Sequence, residues 1–145
     1  MKDLIKHAVF FTLLVSIINC KPKTIENDLA TNQNNLKRIW MLVEFQNFKK
    51  ENLIKHKAQI NLTDLKNPNA NMGCNRISFQ VEVKENNIKF LNLRSTRMFC
   101  KNAMELESAF SKSLDQYNTY NIEGQKLILV SSKNEKMVFV AQDWD

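Results

Sequence analysis

ISFQVEVK, residues 77–84, alternates Ile77, Phe79, Val81 and Val83 with Ser78, Gln80, Glu82 and Lys84. Successive side chains of a strand point to opposite faces, so a strict period of two describes a strand with one face in a core and one in water. ENN follows as turn chemistry, and IKFLNL (88–93) reads as the returning partner, so the pair is an antiparallel hairpin. Upstream, AQINL (58–62) turns Ala58, Ile60 and Leu62 inward, and LKRIWMLVEF (36–45) is long enough for one strand with Trp40, Leu42 and Phe45 available to the core. Between these runs, QNFKKENLIKHK (46–57) reads as a charged connection and DLKNPNANMGCN (64–75) as a long turn.

Downstream of the hairpin the period changes. Ala103, Leu106, Phe110, Leu114 and Tyr117 recur at helical spacing, and Asn102 with Glu105 three residues on has the spacing of a capping box. YNI, KLILV and MVFVA then complete the chain, separated by EGQ and SSKNEK. Four strands, one helix and three strands without βαβ alternation define an α+β class with an antiparallel sheet. The expected architecture is a partly closed, barrel-like sheet of about seven strands with one helix covering its open side.

The chain opens MKDLIKHAVFFTLLVSIINC, with Lys2 and Lys6 ahead of an apolar run from Ala8 to Ile18. Such a run is shorter than the ~20 residues of a bilayer span and fits a signal-peptide core. Because Cys20 follows it after the single residue Asn19, residues 1–19 resemble a bacterial lipoprotein signal. Cys20 is then expected to become the lipidated first residue, residues 20–35 a flexible tether, and 36–145 a single folded domain in the cell envelope. The full chain carries +6; the signal holds +1 of that (Lys2 and Lys6 against Asp3). Ten lysines (Lys49, Lys50, Lys55, Lys57, Lys84, Lys89, Lys112, Lys126, Lys133, Lys136) fall at turns or on outward strand positions, which reads as solvated faces beside an anionic membrane and not as a nucleic-acid surface.

Export also sets the thiol chemistry. If Cys20 carries lipid, Cys74 and Cys100 remain as a pair in a disulfide-permissive compartment. Their bond would close a loop of about 26 residues, worth about 3.5 kcal/mol on the chain-entropy model. Two buried free thiols are the alternative. As a nucleophile Cys100 would gain from a helix N-terminus and from Arg97, but it would also need a general base. The mature chain offers only His56, in a charged stretch that reads as surface. Two cysteines and one remote histidine have no metal-ligand spacing, and two glycines in the whole chain argue against a phosphate loop. No catalytic residue, metal or cofactor is expected.

GCNRISF (73–79), STRMFC (95–100), Glu107 with Phe110, YNIEGQKLIL and the closing Phe139 and Trp144 together resemble the META domain, the HslJ-like family of small bacterial envelope proteins. The similarity runs from Trp40 to Trp144. Its specific part is Gly73, Cys74 and Asn75 followed by Ser95, Thr96, Arg97, Met98 and Cys100, which the resemblance implies are structural. It also implies a barrel-like antiparallel sheet with a helix, often lipid-anchored, without enzymatic activity. Ala70 and Phe79 stand where the family usually has glycine, so a locally different turn or bulge is expected at each.

The functional expectation is a lipid-anchored, non-enzymatic interaction module, serving envelope stress tolerance or secretion. Its partners would be the membrane, through the anchor, and another envelope protein or secreted polypeptide, with sheet edges and exposed Tyr120 and Trp144 as contacts. The competing expectation is a small carrier whose barrel interior, lined by Ile77, Phe79, Val81, Phe90 and Phe139, holds a lipophile. A cavity of several hundred Å³ behind those residues would favour the carrier; a filled interior would favour the module.

Overall fold

A computed structural model describes residues 34–143. The signal, Cys20, most of the tether and Trp144 lie outside the described residues. The chain order is β1 (Ile39–Phe45), α1 (Lys50–Lys55), β2 (Gln59–Asn61), β3 (Asn69–Asn71), β4 (Arg76–Lys84), β5 (Asn87–Ser95), α2 (Met104–Ser113), a 3-10 turn (Leu114–Gln116), β6 (Tyr117–Glu123), β7 (Lys126–Ser131) and β8 (Lys136–Ala141). The strands are antiparallel neighbours in chain order, and β8 pairs with β1, so the sheet closes into an eight-stranded barrel. The antiparallel, barrel-like sheet matches the sequence reading; the strand count and the degree of closure do not.

The additional strand is β3, NAN, inside the segment expected to be a turn. Three residues with one apolar side chain carry no readable alternation, and only pairing on both sides makes them a strand: Ala70 stands between Ile60 and Ile77 in a regular ladder. No bulge accommodates Ala70, contrary to expectation, whereas a register shift does fall at Phe79, between Ser78 and Gln80. The charged connection likewise contains α1, whose one buried side chain, Leu53, is too little for a detectable apolar stripe.

The hairpin follows its sequence pattern. Ile77 and Phe79 on β4 and Ile88 and Phe90 on β5 are buried, Val81 and Val83 are half-buried, and Phe79 meets Phe90 edge to face at 5.5 Å. Two further bulges reset the side-chain phase elsewhere. In β1 the pairing with β8 shifts between Leu42 and Glu44, which is how Trp40, Leu42 and Phe45 all face inward despite the odd spacing. In β6 a shift between Tyr117 and Thr119 turns both Tyr117 and Tyr120 inward. Tyr120 is therefore core, and the expectation that it is an exposed contact is corrected.

Helix α2 lays Leu106 and Phe110 into the core, with Phe110 against the edge of Phe45 at 6.2 Å. Leu114 continues this face in the 3-10 turn, while Tyr117 already belongs to β6. Asn102 does not cap the helix. Residue 103 is the N-cap, without a side-chain hydrogen bond, because the chain first makes a turn in which the Ala103 N–H donates to the Cys100 carbonyl at 3.0 Å. Glu105 and Glu107 in the first turn still favour the positive end of the helix dipole. All ten lysines read as solvated are exposed.

Candidate functional site

Three separated pieces of sequence meet where β5 leaves the barrel. Before β4, the turn at Gly73 has φ +108°, and the Asn71 side chain accepts the Gly73 N–H at 2.7 Å. A Cβ at Gly73 would stand 2.8 Å from His56 Nδ1 and 2.9 Å from His56 Cβ, so glycine is required both by the backbone and by the neighbour. His56 is thus a half-buried packing residue at the end of α1 and not a free surface base.

Asn75 follows, 1 % exposed, and its amide binds the next piece of chain on both sides. Its Oδ1 accepts the Met98 N–H at 2.7 Å and the Thr96 hydroxyl at 2.7 Å, while its Nδ2 donates to the Met98 carbonyl at 2.9 Å. The side chain pairs with Met98 as a strand neighbour would, in a stretch where β5 has already ended. Thr96 closes the loop by accepting the Arg76 N–H at 3.2 Å. From the helix, Glu107 accepts the Asn75 N–H at 2.8 Å and the Ser95 hydroxyl at 3.4 Å. Glu107 is itself buried, with no ion pair to it among the described residues, so these donors replace its lost hydration.

Cys74 and Cys100 are joined by a disulfide, with Cα atoms 5.9 Å apart. This selects the bridge over two free thiols and leaves no nucleophile at Cys100. The bridge, Asn75 and Glu107 hold residues 95–100 from three sides. Of the sequence-picked set, Gly73, Cys74, Asn75, Ser95, Thr96, Met98 and Cys100 all enter this knot; Arg97 is exposed and makes none of its hydrogen bonds. The role of Glu107 was not recognised from sequence, where it appeared only as a weak family position; a carboxylate one turn before the buried Phe110, on the same helix, was the available signal.

What the knot presents outward is apolar. Phe99 is 83 % and Met98 57 % exposed, beside a surface groove of about 650 Å³ bordered by Leu93, Arg94, Arg97 and Met104. By contrast Ile77, Phe79, Phe90 and Phe139 are buried in one continuous cluster with Val81 packed against it, so side chains take up the barrel interior. Among the described residues no group of three or more His, Cys, Asp or Glu is placed to hold a metal ion.

A family profile for the META domain matches residues 33–144. The chain belongs to the META domain family. In fold it is similar to two structures determined by NMR. One, a protein from Burkholderia xenovorans, is 18 % identical with a TM-score of 0.59, over 79 % of this chain and 88 % of that one. The other is also 18 % identical with a TM-score of 0.59, over 74 % of this chain and 92 % of that one. No curated protein matches the chain. In this META domain the sequence signature is the knot itself: its residues hold a turn, a strand end and a helix together.

Proposed function

We propose that this META domain is a lipid-anchored, non-enzymatic interaction module of the bacterial envelope, and that Met98 and Phe99 form the centre of its contact surface. The carrying observation is an apolar pair exposed on a segment fixed by a disulfide and by both hydrogen-bonding edges of Asn75. Exposed large apolar groups on a rigid support bind at low entropic cost, since little conformational freedom is lost on association. Consumption of both thiols in the bridge, and of His56 in packing, supports binding over chemistry. The filled barrel interior favours the module over the carrier.

The test places a photo-crosslinking amino acid at position 99 of the tethered protein in its own envelope, with position 133, exposed in a remote turn, as control. Polypeptide adducts at 99 and not at 133 are the expected result; equal labelling, or lipid adducts alone, would remove the assignment. Mass spectrometry of the native protein is expected to show a chain beginning at a lipidated Cys20, and an unmodified Cys20 would remove the anchor.

A further inference from the structure

Helix α2 borders two separate grooves. Met104 and Glu107 line the one beside the knot, whereas Asn102, Glu105, Leu106 and Ala109, three and four residues apart, lie along the other side. There a second surface groove, of about 620 Å³, runs between α2, the start of α1 and the turn that joins β1 to α1. None of the knot's hydrogen-bonding residues lines it.

The turn is tightly built. The Phe48 N–H donates to the Phe45 carbonyl at 3.1 Å across Gln46 and Asn47, and Gln46 takes φ +46°, a region that a Cβ disfavours. Phe48 lies parallel to the fully buried Phe45, with 3° between ring planes and 5.7 Å between centroids, so the core fixes the orientation of a half-buried ring at the groove wall. With that ring stand four carboxamides: Gln46 and Asn47 from the turn, Asn52 from α1 and Asn102 from the turn before α2. All four are exposed, and among the described residues their side chains make no hydrogen bond to the protein, whereas Asn61, Asn71, Asn75 and Asn92 are each bonded within the fold. Lys49, Glu105 and the imidazole of His56 complete the border, the two charges cancelling.

We propose that this groove binds a neutral oligosaccharide. The site is independent of the contact surface at Met98 and Phe99 and goes beyond it. A carboxamide offers a C=O acceptor and N–H donors side by side, the complement of a sugar's vicinal hydroxyl groups, each both donor and acceptor. The Glu105 carboxylate adds a stronger acceptor for two hydroxyls. Phe48, with Leu106 and Ala109, supplies the apolar contact that the C–H face of a pyranose ring takes. The volume lies within the range of about 300–1,000 Å³ usual for ligand sites. Other ligand classes fit less well. A lipophile would bury the amides unpaired, and an acidic ligand would meet Glu105 as well as Lys49. A peptide would find turn and helix here in place of a strand edge, on a wall only partly apolar.

The full chain, isotope-labelled and held in a phosphocholine detergent that carries no sugar, is titrated separately with chitotriose, maltotriose and cellotriose while NMR follows the side-chain NH2 signals of residues 46, 47, 52 and 102. At least one trisaccharide is expected to shift those signals saturably. Asn52→Ala with Asn102→Ala, both at exposed positions, is expected to weaken that trisaccharide at least ~10-fold while leaving the fold intact by backbone NMR. Phe48→Leu, which keeps an apolar side chain on Phe45 and loses the flat ring, is expected to weaken it about 5-fold. Met98→Ser with Phe99→Ser is expected to leave saccharide binding unchanged; its loss there would move the sugar to the knot and overturn the proposal. Absence of saturable shifts with every sugar, shifts that map away from the four amides, or undiminished binding by the double amide variant also overturns it. So does a capped glycine-serine peptide that shifts the same signals as strongly as the sugars, which would assign the groove to polypeptide instead.

Discussion

Replacing Asn75 by alanine is the most direct perturbation of the knot. The change deletes three hydrogen bonds to the 96–98 segment: from the Thr96 hydroxyl, from the Met98 N–H and to the Met98 carbonyl. The backbone bond from Asn75 to Glu107 remains. At about 1 kcal/mol per net hydrogen bond the direct loss is about 3 kcal/mol. Two effects move it in opposite directions. Met98 and Thr96 lie near the surface, so water recovers part of the loss; Asn75 itself is buried, so the truncation also leaves a small void. The expected destabilisation is about 2–4 kcal/mol, or roughly 10 °C in Tm for a domain of this size. Urea unfolding with the disulfide intact measures it. Because Cys74–Cys100 still tethers the loop, the m-value is expected to stay constant while exchange at residues 96–99 accelerates. A loss below about 1 kcal/mol, with unchanged exchange at Met98, would show that the bridge alone positions the loop and refute the central role given to Asn75.

Phe110→Ala is expected to cost about 3–5 kcal/mol, since the ring is fully buried against Phe45; an unchanged unfolding midpoint would place this face of α2 in solvent. Replacing Cys74 and Cys100 together by alanine is expected to remove about 3.5 kcal/mol, the chain-entropy value for a separation of 26 residues, and peptide mapping of unreduced native protein is expected to show the linked pair; two alkylatable thiols would reject it. Tyr117 and Tyr120 are the chain's only tyrosines, and burial raises both above the ordinary value of about 10, with Glu135 adding to the effect at Tyr117. A raised folded pKa means the native state holds the proton longer, so this contribution to stability is fully present below about pH 10 and is lost as pH rises through the folded values. Ultraviolet titration of native protein is accordingly expected to show tyrosinate forming at higher pH than in urea-unfolded protein; coincident titrations would put the hydroxyls in water.

The sequence by itself determined the class, the β4–β5 hairpin, the inward set of β2, the existence of β7 and β8 as strands, and the apolar face of α2, because each is a local run whose pattern survives without its neighbours. Counting cysteines in an exported chain also brought out the pairing of Cys74 with Cys100, and the family signature picked out most of the residues that form the knot. Tertiary structure decided what depends on partners distant in the chain. NAN is a strand only because Ile60 and Ile77 stand on either side of Ala70. A bulge adds one residue to a strand and inverts the facing of everything after it, which alternation read on one strand does not reveal; that is why Tyr120 is core. Glu107 and Asn75, 32 residues apart, make a hydrogen bond that neither segment announces alone.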